Sequence, residues 1–176
     1  MTTVVFSGHM VDRPGRDVPR FPPTHVPRVA AAVEGAVTAV GDPAAIAVAG
    51  AACGGDLLFC ETWLATGRRL TVFLPRAADA FLEESVRFAG PEWEEAFERV
   101  VRHPHTTLVG PGQDTPEGAD VHAANNRRML ASALRSGPPL HGIVVWDRGG
   151  GDGPGGTGQM VAAIEQAGGH VTIIEP

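Results

Sequence analysis

The chain has 176 residues, 43% of them hydrophobic and 19% charged, with a mean hydropathy of +0.01, a formal net charge of -6 and an isoelectric point near 5.6. This balance excludes a disordered chain and, for want of a basic face, a duplex nucleic-acid binder; it suits one core in a single domain over 1–176. The opening MTTVVFSGHM lacks a basic segment before a long apolar one, and no apolar run is long enough for a bilayer, so neither a signal peptide nor membrane contact is expected and the cytoplasm is the expected compartment.

Short apolar runs alternate with helical patterns along the chain. TVVFSG (3–8) reads as a first strand, and 27–40 as a helix with proline in its opening turn. AAIAVAG (44–50) reads as a second strand, followed by a helix over 54–67 that Gly67 closes. A third strand covers 69–75, and the next stretch reads as two short helices broken at Gly90 and Pro91. TTLVG (106–110) is a fourth strand and 119–135 a helix of good formers. LHGIVVW (140–146) is a fifth strand, leading through a glycine-rich loop to a helix over 159–167 and a last strand, HVTIIEP.

The strands are rich in Val and Ile and do not alternate with polar residues, which predicts a parallel sheet covered on both faces. The expected fold is α/β, a Rossmann-like three-layer sandwich with a mostly parallel sheet of five to six strands. Ligands of such sheets bind outside the carboxyl ends of the strands, so the loops after strands one, two, three and five are where a site is expected.

GDGPGGTGQM (151–160) joins the fifth strand to a helix. Gly155, Gly156 and Gly158 let successive N–H groups face a concavity at a helix start, where the helix dipole favours an anion, and Thr157 adds a hydroxyl. The competing reading is a flexible spacer. GAACGGD repeats the arrangement after strand two, with Gly54 and Gly55 in a tight turn and Asp56 either a helix cap or a site carboxylate. The loop SGHMVDRPGRDVPRFPP places Ser7, Gly8, His9, Asp12, Arg13, Arg16 and Arg20 among four prolines, either as a ligand-binding strap or as a solvated loop. Arg127 and Arg128 are one helical step apart, so one of them faces a site at most. Glu61 reads as a rim residue, and Trp146 as a pocket wall. His103 and His105 lack companions for a metal site, Cys53 and Cys60 lack the spacing of a zinc site or a disulfide, and no cofactor is expected.

Taken together, SGHM, CGGDLLFCE and WDRGGGDGPGGTGQM resemble the SLOG superfamily of Rossmann-like nucleotide-binding domains, which includes the LOG-type phosphoribohydrolases and the DprA-like and YspA-like proteins. The resemblance implies a nucleotide or nucleotide-derived ligand at the strand ends and, as among LOG-like relatives, a homodimer. Pro154, Gly155, Gly156 and Gly158 match the PGGxGTxxE pattern of LOG enzymes, whereas Gln159 and Ala162 replace its threonine and glutamate. A hydrolase of this kind needs another carboxylate, from Asp56, Glu61, Asp147 or Asp152, with Arg127 as the better match to the family's arginine.

The resulting expectation is phosphate on Gly155 to Gly158 with Arg127, Arg16 or Arg20, the base or ribose along Ser7, Gly8 and His9, and ribose hydroxyls on Asp56 or Glu61. Binding or sensing is the first reading. N-glycosidic hydrolysis of a nucleoside monophosphate by Glu61, Asp56 and Arg127 is the second, and an interaction module with a vestigial pocket the third.

Overall fold

The computed structural model describes residues 1–112, 120–149 and 155–176. Strands β1 (Thr3–Gly8), β2 (Ile46–Ala49), β3 (Leu70–Phe73), β4 (Thr106–Val109), β5 (Leu140–Val145) and β6 (His170–Ile174) form one sheet. Its order is β4-β3-β2-β1-β5-β6, with every neighbouring pair parallel. Among the described residues six α-helices accompany it: α1 (Val26–Ala39), α2 (Gly55–Ala65), α3 (Ala78–Ser85), α4 (Pro91–Val101), α5 (Val121–Arg135) and α6 (Thr157–Gln166). The α/β fold with a parallel six-stranded sheet is the one expected, Rossmann-like in its layers.

Successive side chains of a strand point to opposite faces, and both faces here meet apolar partners. Val4 and Phe6 join the larger core cluster, packed with Val29, Val33 and Val37 of α1, Leu57, Phe59 and Trp63 of α2, and Phe97 and Val100 of α4. Val5, Val48 and Phe73 pack on the other face with Met129 and Ala133 of α5 and Met160 and Ile164 of α6. Phe6 stacks on Phe59 at 4.4 Å and Phe59 on Trp63 at 5.5 Å, while the Trp63 indole N–H donates to the Arg69 carbonyl at 3.0 Å. This aromatic column fixes α2 beneath β1 and so sets where the ends of β1 and β2 meet.

Element limits differ from expectation mainly at helix starts. A 3-10 turn, Pro23–His25, precedes α1, and the stretch between α3 and α4 holds a second one, Arg87–Ala89. Helix α6 opens at Thr157, ahead of the expected 159, because Gly156 takes an extended conformation (φ -71, ψ 167) that acts as its N-cap. Thr157 and Gly158 therefore belong to the first turn.

At the β5–β6 edge, His141 and His170 stand opposite one another in register with ring centroids 5.3 Å apart, and His141 Nε2 shares a hydrogen bond of 2.9 Å with Thr172 Oγ1. Burial, and then the nearby His170, hold His141 below the usual histidine range. A depressed histidine supports the fold above that range and withdraws support as acid charges the unfolded chain first. The Tm of wild type is therefore expected to fall more steeply than that of His141→Gln between pH 7 and pH 5. Parallel melting profiles would remove His141 from the acid response.

Candidate functional site

Strand order runs outward from β1 to β4 and then returns to β5 beside β1, so the crevice between the β1 and β5 ends is the switch point of the sheet. A cleft of about 460 Å³ opens there. Ser7, Gly8, His9, Arg16 and Arg20 line it from β1 and its loop, Asp56 from the first turn of α2, and Gly155, Gly156 and Thr157 from the opening of α6. The three motifs singled out in the sequence thus share one cavity.

Asp56 is not the cap of α2. That position belongs to Gly54, and no side chain caps it. The Asp56 carboxyl instead accepts from the backbone N–H of Ala52 at 3.2 Å and from that of Gly8, bridging the ends of β2 and β1. A Cβ on Gly50 would lie 2.5 Å from Asp56 Oδ2, so the bare backbone there makes room for the carboxyl. Burial pushes its titration up to about 7 against the pull of the two amides. A carboxyl that exchanges its proton near neutrality at the floor of a cleft has the property general acid–base chemistry needs.

At the opposite wall, the α6 opening is held from both sides. The Gly155 N–H donates to Gln159 Oε1 at 2.8 Å, and its carbonyl accepts from Asn126 Nδ2 at 2.6 Å. Gly155 adopts φ +84, and a Cβ there would lie 2.6 Å from the Ala123 amide nitrogen, so glycine is what lets α5 and α6 meet. Its N–H is therefore committed, and the expected anion cradle narrows to the amides of Gly156 and Thr157, because Gly158 packs against Trp146 and does not line the cleft. Thr157, 6% exposed, lines the cleft, and its hydroxyl has no hydrogen-bond partner among the described residues.

The loop after β1 is built by Asp12. Its Oδ2 accepts from the Arg20 and Phe21 amides at 2.9 and 3.0 Å, and its Oδ1 lies 3.6 Å from Arg16 Nε. Nearly buried His9 pairs through Nε2 with Asp147 Oδ1 at 2.9 Å, and Arg20 Nε stands 3.8 Å from Asp147 Oδ2. Burial alone would raise Asp147; the His9 hydrogen bond, the Gly149 amide and the charges of His9 and Arg20 outweigh it and hold the carboxylate below its usual range. Asp147 thus stands at the surface, outside the lining residues, and positions His9 and Arg20.

Several expected site residues lie elsewhere. Glu61 points away along α2 and pairs with Arg99 of α4 at 2.8 Å, and Arg127 is exposed outside the cleft. A two-residue helical step turns about 200°, and Asn125, Met129 and Ala133 mark the inward face of α5, so Arg127 has to face out. Arg128 is the one that turns back, to the Gly110 carbonyl at 2.8 Å and over the Phe73 ring.

Gly54 and Gly55 are buried against backbone, not open to the cleft: the Gly55 N–H donates to the His9 carbonyl at 3.0 Å, and a Cβ on Gly54 would lie 2.6 Å from Val11 N. Trp146 does not wall the pocket. Its indole donates to the Gly149 carbonyl at 3.0 Å and its ring packs where a Cβ on Gly158 would sit. Asp152 and Pro154 fall outside the described residues.

The cleft also contains residues that sequence reasoning misses: Asn125, Asn126, Asp120 and His122 of the α5 opening, and Phe81, Ser85 and Phe88 on and beside α3. Asn125, 6% exposed, donates to the Phe73 carbonyl at 3.1 Å. Its signal is an amide on the apolar stripe of α5, four residues before Met129. Among the described residues no cluster of three or more His, Cys, Asp or Glu is placed to hold a metal ion, and no helix is long and apolar enough to cross a membrane.

Comparison of the chain with family models, with curated proteins and with solved structures gave no match.

Proposed function

We propose that this chain binds a nucleotide or nucleotide-derived ligand in the cleft at the carboxyl ends of its strands. One observation carries the reading. The first turn of α6, with an uncommitted Thr157 hydroxyl, faces the same cavity as Arg16, Arg20 and the Asp56 carboxyl. Amides at a helix start and a hydroxyl suit a phosphate, arginines supply charge to it, and a carboxyl accepts from ribose hydroxyls. The net charge of -6 does not oppose this, since the attraction is local. The motif resemblance to SLOG domains supports the same proposal.

Full-length protein is expected to melt higher with at least one mononucleotide. Saturation at one hundred times Kd adds about 2.7 kcal/mol, which corresponds to roughly 5–10 °C for a chain of this size. Thr157→Val, which keeps shape and removes the hydroxyl, is expected to weaken binding about tenfold, the loss of one hydrogen bond to a charged group. No shift with any phosphorylated nucleoside, or unchanged affinity in the variant, would refute the phosphate assignment.

Asp56 favours a second reading, N-glycosidic cleavage of a nucleoside monophosphate. Its carboxyl would accept a proton from the attacking water or give one to the leaving base, while the cleft holds the oxocarbenium-like ribosyl centre. Release of free base and ribose 5-phosphate in equal amounts, lost in Asp56→Asn, establishes it; stoichiometric binding without products leaves the binding reading alone.

A further inference from the structure

The anion-binding reading leaves several residues that line the cleft without a use. Ser85 closes α3 with 3% of its surface exposed, and its carbonyl accepts from the Cys53 amide at 3.0 Å. Ser85 lines the cleft, and its hydroxyl has no hydrogen-bond partner among the described residues. That hydroxyl is therefore a donor and acceptor that the described residues leave unused.

Next to it, Phe81 and Phe88 line the same wall. The Arg13 guanidinium lies over the Phe88 ring, 3.8 Å from its centroid, and Nη2 donates to the Glu84 carbonyl at 2.8 Å. Stacking and hydrogen bond together fix a side chain that is otherwise costly to order. The Phe88 ring lies under the guanidinium carbon, and Arg13 itself is exposed and lines the cleft. A guanidinium plane backed by an aromatic ring is a platform on which heterocyclic bases stack, and a nearby hydroxyl reads a ring nitrogen or an exocyclic group.

We propose that Arg13 stacked on Phe88, with the Ser85 hydroxyl, forms a subsite for the heterocyclic base of the ligand, so that the protein selects nucleotides over the sugar phosphate they contain. This rests on the nucleotide reading above and adds the residues that determine specificity. Phe81, 4% exposed, supplies the apolar back of the same wall.

Isothermal titration of the full chain with AMP, GMP, CMP, UMP, adenosine and ribose 5-phosphate tests it. At least one nucleotide is expected to bind about tenfold or more tightly than ribose 5-phosphate, the increment of one stacked base. Arg13→Ala, Phe88→Leu and Ser85→Ala are each expected to shrink that ratio at least threefold and to leave the ribose 5-phosphate affinity within about twofold.

Equal binding of nucleotide and ribose 5-phosphate to the wild type overturns the base subsite and spares the phosphate site. Equal weakening of both ligands by the variants also overturns it, since Arg13 then acts through charge alone. Adenosine binding that depends on Arg13 and gains nothing from a phosphate upholds the base subsite and ends the phosphate assignment. Absence of binding by every compound overturns both.

Discussion

Gly54→Ala is expected to lower stability by on the order of 3–5 kcal/mol, a fall in Tm of roughly 10 °C or more. Gly54 holds φ +92 and ψ -129, a region closed to residues with a Cβ. Strain of about 1–3 kcal/mol attaches to that conformation alone. An added methyl would also stand 2.6 Å from Val11 N and 2.8 Å from the His9 carbonyl, both backbone atoms that cannot rotate away. Relief requires the loop after β1 to lift from the start of α2, which breaks the Gly55 N–H to His9 carbonyl bond. His9, Arg16 and Arg20 would leave the cleft with it, so ligand binding should fail even in protein that remains folded. Gly35→Ala is the control. Gly35 lies within α1, and a methyl added there would meet nothing inside 4 Å, so alanine should gain up to about 1 kcal/mol. Thermal melting of the two variants side by side decides the point, and a Gly54→Ala Tm within about 2 °C of wild type, under 1 kcal/mol, would defeat the packing argument.

Asp56→Asn is expected to stabilise the empty protein at alkaline pH and to impair what it does. The folded carboxyl titrates at about 7, against 3.8 for an unperturbed aspartate. Its ionisation therefore penalises the fold progressively as pH rises from about 4 to 7, and in full above 7. Three pH units at about 1.4 kcal/mol each cap the penalty near 4 kcal/mol. Asparagine offers one acceptor oxygen to the Ala52 and Gly8 amides where the carboxylate offers two, which takes back part of that amount, so a net gain of about 2 kcal/mol is expected at pH 8. The Tm advantage should shrink steadily toward pH 4, while ligand binding loses the pH dependence that this proton confers. A variant that melts below wild type at pH 8, or an advantage that persists unchanged at pH 4, would show that the carboxyl is ionised without strain.

The sheet is legible because its central strands carry long apolar runs: VVF and GIVV have no polar face to show, which leaves burial on both sides as their physical solution. The places where strand ends meet a helix start are legible for a related reason, since glycine clusters there signal backbone in close approach. What approaches is not. Gly54, Gly55 and Gly155 suggest a ligand near the backbone, yet each accommodates another piece of the same chain. Asp56 resembles a cap by its spacing after Gly54, and only the third dimension shows its carboxyl spanning two strands. Arg127 matches a motif, whereas the phase of α5 set by Asn125, Met129 and Ala133 points it outward. Ser85 and Phe88 give no signal at all, because α3 joins the cleft through the crossover from β3, a proximity that no local pattern encodes.

The pinning of Gly155 by side chains from two helices bears on how such a protein diversifies. Both backbone polar groups of that residue are satisfied by Asn126 and Gln159, which belong to rigid elements. The direction in which the following amides point is thereby set by side chains of two helices. A change at Asn126 or Gln159 then re-aims the amides that follow, with no glycine altered.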